Sequence, residues 1–500
     1  MPFDRTHEEI LDVLMLGAGL SGIGCAAYLS RELPDKTWRI LEMRDDLGGT
    51  WDLFRYPGIR SDSDLHTFAY DFKPWTSENS IADGAEIKAY IAETAKEYDI
   101  PEHIRFGRKV VSCDWSSTDG LWTVTTEATD GGGREIWRAR WIFSATGYYD
   151  YAQGYRPTFS GEDRFKGPII HPQSWPEELD YTGKTIAVIG SGATAVTLLP
   201  SLAEKAGHVV QVQRTPTYVV PIPKQDPLAK LLRPFLPNNW LHAALRRKNI
   251  IRQHIFFTLC QRYPKMMRGF IRKANAKRLP EDYAVDRHFN PPYDPWDQRL
   301  CAVPDGDLFR CLRSGRCSIV TGHIRTFVES GVEMEDGTRV EADIIVSATG
   351  LNLKLMGGAD YRVDGKPVDW ADHVVFKGMM LDGIPNFAMA MGYTNSSWTL
   401  KIGLICQYLC RLFSEMDERD MGVCVPVRPA QEMEMRPLLD FEAGYVKRSV
   451  DPLPRQGDTF PWQMTFDYDE DKKMMRRGRG LEPELRLSPL PQTEPMDGDA

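Results

Sequence analysis

The chain lacks any uninterrupted apolar run long enough to cross a bilayer, so no membrane-spanning helix is expected. Its opening residues, MPFDRTHEEILD, are charged rather than apolar and lack the character of a secretory leader, so a cytoplasmic location is expected. There is no excess of basic charge: 61 Lys and Arg stand against 70 Asp and Glu, a net charge of -9. A chain so charged has no overall electrostatic reason to seek nucleic acid, and none is expected as a partner. The nine cysteines are scattered, odd in number and show no C-x-x-C. That argues against a zinc knuckle or a dithiol redox motif, so reduced, mostly buried thiols and no metal are expected.

What the chain does have is glycine and tryptophan, 41 and 13 residues, in a length of 500 that exceeds a single core and implies two or three domains. An internal repeat organises it. Asp12–Leu16 reads as an apolar strand, followed by the turn Gly17-Ala-Gly-Leu-Ser-Gly22, a helical stretch to about Arg31, and a second strand at Trp38–Glu42. The same order recurs as Thr185–Ile189, Gly190-Ser-Gly-Ala-Thr-Ala195, a helix, and His208–Gln213. After each unit come segments alternating at period two, Leu121–Glu127 and Ile136–Ser144 in the first case. In the second, Gly331–Met334 and Thr338–Ser347 flank the hairpin signal Asp336-Gly337. Both copies end in Ser-Ala-Thr-Gly, closing at Gly147 and Gly350.

The expected fold is therefore α/β, with two Rossmann-like dinucleotide-binding domains, β-meanders and a helical insert. The expected limits are 1–152 and 350–478 for the first domain, and 153–218 and 318–349 for the second. Residues 219–317 form the insert and 479–500 a frayed tail rich in Pro and charge. From Lys230 to Arg278 the insert has thirteen Lys or Arg and no Asp or Glu, interleaved with LLRPFL, IIRQHIFF and MMRGFI. One reading is a helical lid with a solvated basic face. The other is weak peripheral contact with a membrane surface, or a basic funnel for a phosphorylated cofactor.

The two turns differ in a way that separates their ligands. In each, glycines let the backbone approach a pyrophosphate, and the helix N-terminus presents unsatisfied N–H groups to it. Twenty residues after Gly22, Glu42 ends the second strand, where a carboxylate accepts hydrogen bonds from a ribose diol. At the corresponding place in the second unit stands Arg214, followed by Thr215; a guanidinium pairs with a 2′-phosphate that a carboxylate would repel. The first site thus fits FAD and the second NADPH. Between them lies a Gly/Pro loop, Gly48-Gly-Thr-Trp51, then Arg55-Tyr-Pro-Gly58, Arg60 and Asp62.

Phe165-Lys-Gly167, His171 and Trp175-Pro-Glu177 follow the pattern F-x-G-x-x-x-H-x-x-x-W-P. With Gly49-Thr-Trp51, Arg55-Tyr-Pro-Gly58 and Asp62, this resembles the type I Baeyer–Villiger monooxygenases over about residues 10 to 475. The resemblance implies a flavin reduced by NADPH that, through a C4a-peroxyflavin, inserts one atom of O2 into a small apolar ketone, giving an ester or lactone, or oxygenates sulfur. It implies that Arg299, in Asp297-Gln-Arg-Leu-Cys301, stabilises anionic oxygen and that Asp62 positions it. Many relatives carry lysine where this chain has Gln298, which places more of the NADPH preference on Arg214. It assigns His171 to coupling between domains rather than to proton transfer. The residues expected at FAD are Gly17, Gly19, Ser21, Gly22, Glu42, Gly49, Thr50, Trp51, Asp62 and Val110. Those expected at NADPH are Arg60, Gly190, Ser191, Gly192, Ala193, Thr194, Ala195, Arg214 and Thr215. Asn395, Ser397 and Trp398 are candidates for the far side of the flavin.

Other classes remain to be weighed. A monooxygenase of nitrogen or sulfur alone would lack ketone activity. A disulfide or quinone reductase would need a C-x-x-x-x-C pair near the flavin, which is absent. A flavin-bound sensor would not need the arginine at 299.

Overall fold

In the computed structural model, which describes residues 5–439, 444, 448–476 and 482–491, the two repeats build two separate sheets, the first mixed and the second parallel. The first starts with β1 (Arg5–Leu16), passes through α1 (Leu20–Glu32) and returns as β2 (Trp38–Leu41), parallel to β1. Then come β3 (Ile104–Arg105), β4 (Arg108–Ser116), β5 (Leu121–Ala128) and β6 (Arg134–Ser144). β6 closes on the free edge of β1, giving the order β3-β2-β1-β6-β5-β4. β1 is longer than its apolar run because its polar N-terminal half pairs with β6 across a register shift between Thr6 and Ile10. Leu20 to Leu29 of α1 are buried all round, which explains why Gly22, Gly24, Ala26 and Ala27 are small: the helix lies between the sheet and a later helix, and a Cβ on Gly24 would meet the Tyr70 ring at 2.7 Å.

The second sheet takes in β7 (Ile169–Ile170) and β8 (Thr185–Ile189), then α2 (Ala193–Leu202) and β9 (His208–Gln213). Next are β10 (Val219–Ile222), α3 (Asn238–Arg262), α4 (Pro264–Ala276), β11 (Cys301–Pro304), α5 (Asp307–Arg313) and β12 (Cys317–Thr321). A meander of β13 (Ile324–Val328), β14 (Gly331–Met334) and β15 (Arg339–Glu341) leads to β16 (Ile344–Ser347). The parallel order is β12-β9-β8-β16-β7. Ile186, Val188, Val209 and Val346 are almost wholly buried in it, each worth about 1.5–3 kcal/mol of burial. The chain then returns to the first domain, where Trp398–Glu418 forms α6 against α1.

Three expectations change. The segment 219–317 is not all helical: β10 and β11 pair in parallel at its two ends, and α5 packs on α2 as part of the second domain. Not all thiols are reduced: Cys311 at the end of α5 is joined to Cys317 at the start of β12, a pairing made by a tight helix-to-strand turn rather than by a C-x-x-C. The other seven cysteines are free and buried. The tail expected to fray contains a strand, Leu485–Ser488, antiparallel to Val423–Pro426; the rest of the expected tail, 479–481 and 492–500, lies outside the described residues. Among the described residues no helix is long and apolar enough to cross a membrane.

Candidate active site between two glycine turns

The two turns repeat at the level of single atoms. Gly17 has φ of +105°, and a Cβ on it would meet the Ala145 carbonyl oxygen at 2.7 Å. Gly190 has φ of +141°, and a Cβ there would meet the Ala348 carbonyl oxygen at 2.2 Å. Each turn is thus pressed against the Ser-Ala-Thr-Gly end of its own sheet, and only glycine fits. The third position distinguishes them. A Cβ on Gly22 would lie 2.0 Å from the Gly17 carbonyl oxygen, whereas the second unit accommodates a fully buried Ala195 and so spaces helix from strand more widely.

The first turn has the features a dinucleotide needs. Gly19 caps α1 with no side-chain hydrogen bond, leaving the first-turn N–H groups for an anion. Opposite it, Gly49 has φ of +57°, and a Cβ there would come within 3.0 Å of Gly19 Cα, so two bare Cα atoms line a slot. Glu42 is buried and accepts from the Ala18 N–H at 2.7 Å and the Arg44 N–H at 2.9 Å. Burial, more than any neighbour, raises its pKa, while those two N–H groups favour the charged form. Arg108 N–H bonds the Glu42 carbonyl, and Val110 follows two residues on, at a bulge in β4. Thr50 Oγ1 sits 3.3 Å from the Tyr151 hydroxyl, and the Trp51 ring meets Phe68 edge-on.

An aromatic wall stands beside this slot. Trp398, first residue of α6, donates from Nε1 to Ser21 Oγ at 2.9 Å and stacks on Tyr148 with ring centroids 5.2 Å apart. Gly392 lies under the indole; a Cβ there would be 2.4 Å from the ring. Asn395 Oδ1 is buried with no partner among the described residues, an acceptor of the kind a flavin ring N–H requires. The slot, the buried carboxylate, the aromatic wall and this orphan acceptor fit FAD.

The second turn mirrors the first. Gly192 caps α2 without a side-chain hydrogen bond, and nothing lies within 4 Å of a Cβ built on it. Ser191, Ala193, Thr194 and Thr215 are half-buried around it, and Arg214 is exposed just beyond β9. Those features fit a second dinucleotide. Arg60, expected at NADPH, forms an ion pair with Asp307 at 2.5 Å through Nη1, and its Nη2 is buried with no partner among the described residues.

Between the turns runs the loop from Arg55 to Asp62. Gly58, with φ of +79°, packs against α2 so closely that a Cβ would meet Ser201 Oγ at 1.9 Å. Arg55 pairs with Glu177 of the Trp-Pro-Glu segment. Burial pushes the Tyr56 hydroxyl up to about 12, and Asp62 adds to the shift. Asp62 accepts from Arg299 Nη2 at 2.9 Å, with both side chains about one-third exposed (34% and 31%). Arg299 precedes β11; burial raises the pKa of the Tyr148 hydroxyl, and the Arg299 charge works against that shift.

His171 is held by backbone on both ring nitrogens: Nδ1 accepts from Gln173 N–H and Nε2 faces the Gly350 carbonyl at 3.1 Å. Burial lowers its pKa. Trp175 packs in the second domain's core, edge-on to Tyr181.

Sequence patterns miss a buried network around Asp64, two residues after Asp62. Asp64 accepts from Thr67 N–H, Thr67 Oγ1, Asn249 Nδ2 at 2.7 Å and Gln253 Nε2 at 2.8 Å. Gln253 Oε1 in turn accepts from Ser396 Oγ at 2.7 Å, and Thr67 Oγ1 lies 2.6 Å from Ser397 Oγ. Arg246 of α3 donates to the His66, Thr67 and Ala69 carbonyls, capping the one-turn helix Leu65–Phe68. Trp296, three residues before Arg299, has φ of +79°, a strained conformation for a bulky residue, and its ring meets Phe257 of α3. Arg448 lies over the Tyr155 ring at 3.5 Å and senses the charge of Arg214, which adds a second guanidinium to that end of the second domain. No fixed spacing connects these residues, so no motif signals them.

Comparison with known proteins follows this geometry. Residues 63–356 match the Flavin-binding monooxygenase-like family, and residues 15–77 match the NAD(P)-binding Rossmann-like domain. The FAD-containing monooxygenase EthA of Mycobacterium tuberculosis is 48% identical over 484 residues, covering 97% of this chain and 99% of that protein. The structure of OTEMO complexed with FAD and NADP superposes with a TM-score of 0.69 at 23% identity, covering 84% of this chain and 88% of that one. An open structure of cyclohexanone monooxygenase gives a TM-score of 0.70 at 23% identity, covering 85% and 90%. At that identity these two speak to the fold.

Proposed function

The chain belongs to the flavin-binding monooxygenase-like family and is an FAD- and NADPH-dependent flavoprotein monooxygenase, and on that premise we propose that Arg299 and Asp62 carry its oxygen transfer to small apolar ketones and thioethers. FAD, when bound, supplies the transfer of electrons from NADPH and the activation of O2.

The protein's part is to bind, orient and hold charge. Glu42 takes the ribose of FAD, the bare slot at Gly19 and Gly49 takes its pyrophosphate, and Trp398 with Tyr148 walls the ring. Ser191 to Ala195 and Thr215 form the NADPH cradle, with Arg214 toward the 2′-phosphate. Arg299 is charged at any working pH, and donates hydrogen bonds to anionic oxygen as it develops on a substrate carbonyl. Asp62 holds the guanidinium through its Nη2, at 2.9 Å. The single observation that carries this reading is the Arg299–Asp62 pair held between the two glycine turns.

A soft sulfur needs less charge stabilisation than a carbonyl, so thioethers belong in the same substrate class. Oxygenation of nitrogen or sulfur without ketone activity is the alternative. Peripheral contact of the basic insert with a membrane is part of the same proposal. The test is NADPH-driven oxygenation of a panel of ketones and thioethers, with product identification. Esters or lactones together with sulfoxides support the reading; sulfoxides alone select the heteroatom alternative; no oxygenated product from either class overturns it.

A further inference from the structure

The insert turns an unusual face to solvent. On α3, residues 240, 244, 247, 251, 255, 258 and 262 recur at steps of three and four and lie on one side of the helix. Every one of them is exposed. A solvated helix face is ordinarily polar, yet this one carries Trp240, Ile251 and Ile255, which are 73%, 42% and 52% exposed. On α4 the same spacing aligns residues 266, 270 and 273, with Lys277 at its C-cap. Met266 and Phe270 there are 57% and 63% exposed, followed by exposed Lys273 and Lys277. At the corner between the helices, Arg262 lies over the exposed ring of Tyr263. The sequence reading of a solvated basic face is therefore incomplete: the outside is apolar and basic together.

We propose that this outer face of α3 and α4 docks on an anionic lipid surface, with Trp240, Ile251, Ile255, Met266 and Phe270 entering the interfacial layer and the surrounding Arg and Lys meeting headgroups. The inference rests on the proposal that the insert contacts a membrane, and specifies how. Charge complementarity selects the occupant. Thirteen basic and no acidic residues fall between Lys230 and Arg278 in a chain of net charge -9, the composition of an interfacial helix. The inner face of the same helix reaches the candidate site, through Asn249 and Gln253 on Asp64 and Phe257 on Trp296. An apolar substrate dissolved in lipid would thus meet the enzyme on the helix that lines its site.

The test uses the full-length holoenzyme in flotation with vesicles of phosphatidylcholine alone or mixed with phosphatidylglycerol, at low and high salt. Wild-type protein should float with the mixed vesicles, lose part of its binding in high salt and keep a resistant fraction. The triple variant Trp240→Ser, Ile251→Ser, Ile255→Ser should lose that fraction and bind about tenfold more weakly at low salt, while oxygenating a water-soluble thioether at the wild-type rate. The double variant Met266→Ser, Phe270→Ser should do the same from the other helix. Binding that vanishes in high salt and is unchanged by either variant overturns apolar docking and leaves electrostatic contact. Absence of binding to mixed vesicles overturns both. If sedimentation shows a dimer that the triple variant dissociates, and no vesicle binding, the face belongs to a second copy of the chain and the proposal fails.

Discussion

Arg299 Nη2 donates to Asp62 Oδ1 at 2.9 Å across 237 residues of chain. Asp62 belongs to the loop packed on the second domain by Gly58, and Arg299 to the segment entering β11. The pair therefore reports on how the loop and the second domain sit together. Asp62→Asn removes the carboxylate but keeps its shape and leaves the cation in place. Product formed per NADPH consumed should fall several-fold, while FAD content stays at the wild-type level. Loss of FAD would show that Asp62 acts mainly in flavin binding.

The second prediction concerns cofactor choice. Arg214 is exposed at the end of β9, with Arg448 near enough to oppose its charge. Arg214→Ala should weaken NADPH on the order of 1.5–3 kcal/mol, roughly ten- to a hundredfold, with little effect on NADH. Arg448→Ala should produce a smaller shift in the same direction. Steady-state KM for both cofactors decides the matter, and an unchanged NADPH/NADH ratio in Arg214→Ala rejects the assignment.

The third concerns Asp64, whose carboxylate gathers four hydrogen bonds from the one-turn helix and the insert. Asp64→Asn turns an acceptor toward donors it can no longer satisfy, at about 1–3 kcal/mol for each buried group left unpaired. The thermal midpoint should drop, and hydrogen peroxide should rise at the expense of product. The paired variant Asp64→Asn, Asn249→Asp, which restores a donor opposite an acceptor, should recover part of both. No change in either readout would make the network incidental.

The fourth prediction is a pH dependence of stability. Burial, with Arg246 next, lowers the His242 pKa to about 4 from 6.5, and burial also lowers His66 and His171. In the unfolded chain these imidazoles protonate near 6.5; in the folded protein they resist. For His242 this stability is fully present above pH 6.5 and is lost as pH falls toward 4, by up to ~1.4 kcal/mol per pH unit, and His66 and His171 add in the same direction. Urea unfolding midpoints across this window should decline toward acid, and His242→Gln should flatten the slope. A midpoint constant from pH 7 to pH 5 contradicts the assignment.

Local patterns carried the two dinucleotide units well, because a glycine turn between an apolar strand and a helix is set by residues within about thirty positions of one another. Thr185–Ile189 and His208–Gln213 are strands with those limits, and Glu42 meets the first turn through the Ala18 N–H. What stayed hidden depends on distant contacts. Asp64 gains its role only when α3, some 185 residues away, folds over it. The Cys311–Cys317 pair is local but matches no C-x-x-C spacing, because a helix-to-strand turn rather than a motif brings the two together. Leu485–Ser488 looked like tail because a short edge strand is stabilised by its partner rather than by its own composition. The insert is ambiguous for a different reason. Its apolar residues at helical spacing look like core, and nothing local reveals that Trp240, Ile251 and Ile255 of α3 are left exposed by the described residues.

The account turns on Arg299, and the measurement closest to it is product formed per NADPH consumed in Arg299→Ala, with a thioether and a ketone as substrates. Glu42 and the first turn are untouched in that variant, so FAD should stay bound, and NADPH should still be oxidised. Removal of one preorganised charged donor costs about 2.7–4 kcal/mol, a hundred- to a thousandfold in rate. The variant should therefore release hydrogen peroxide and form almost no ester or sulfoxide, and Arg299→Lys should recover little, because an ammonium cannot reproduce the planar fork. Near-wild-type product yield and rate in Arg299→Ala would contradict the account and move the oxygen-transfer chemistry to another residue.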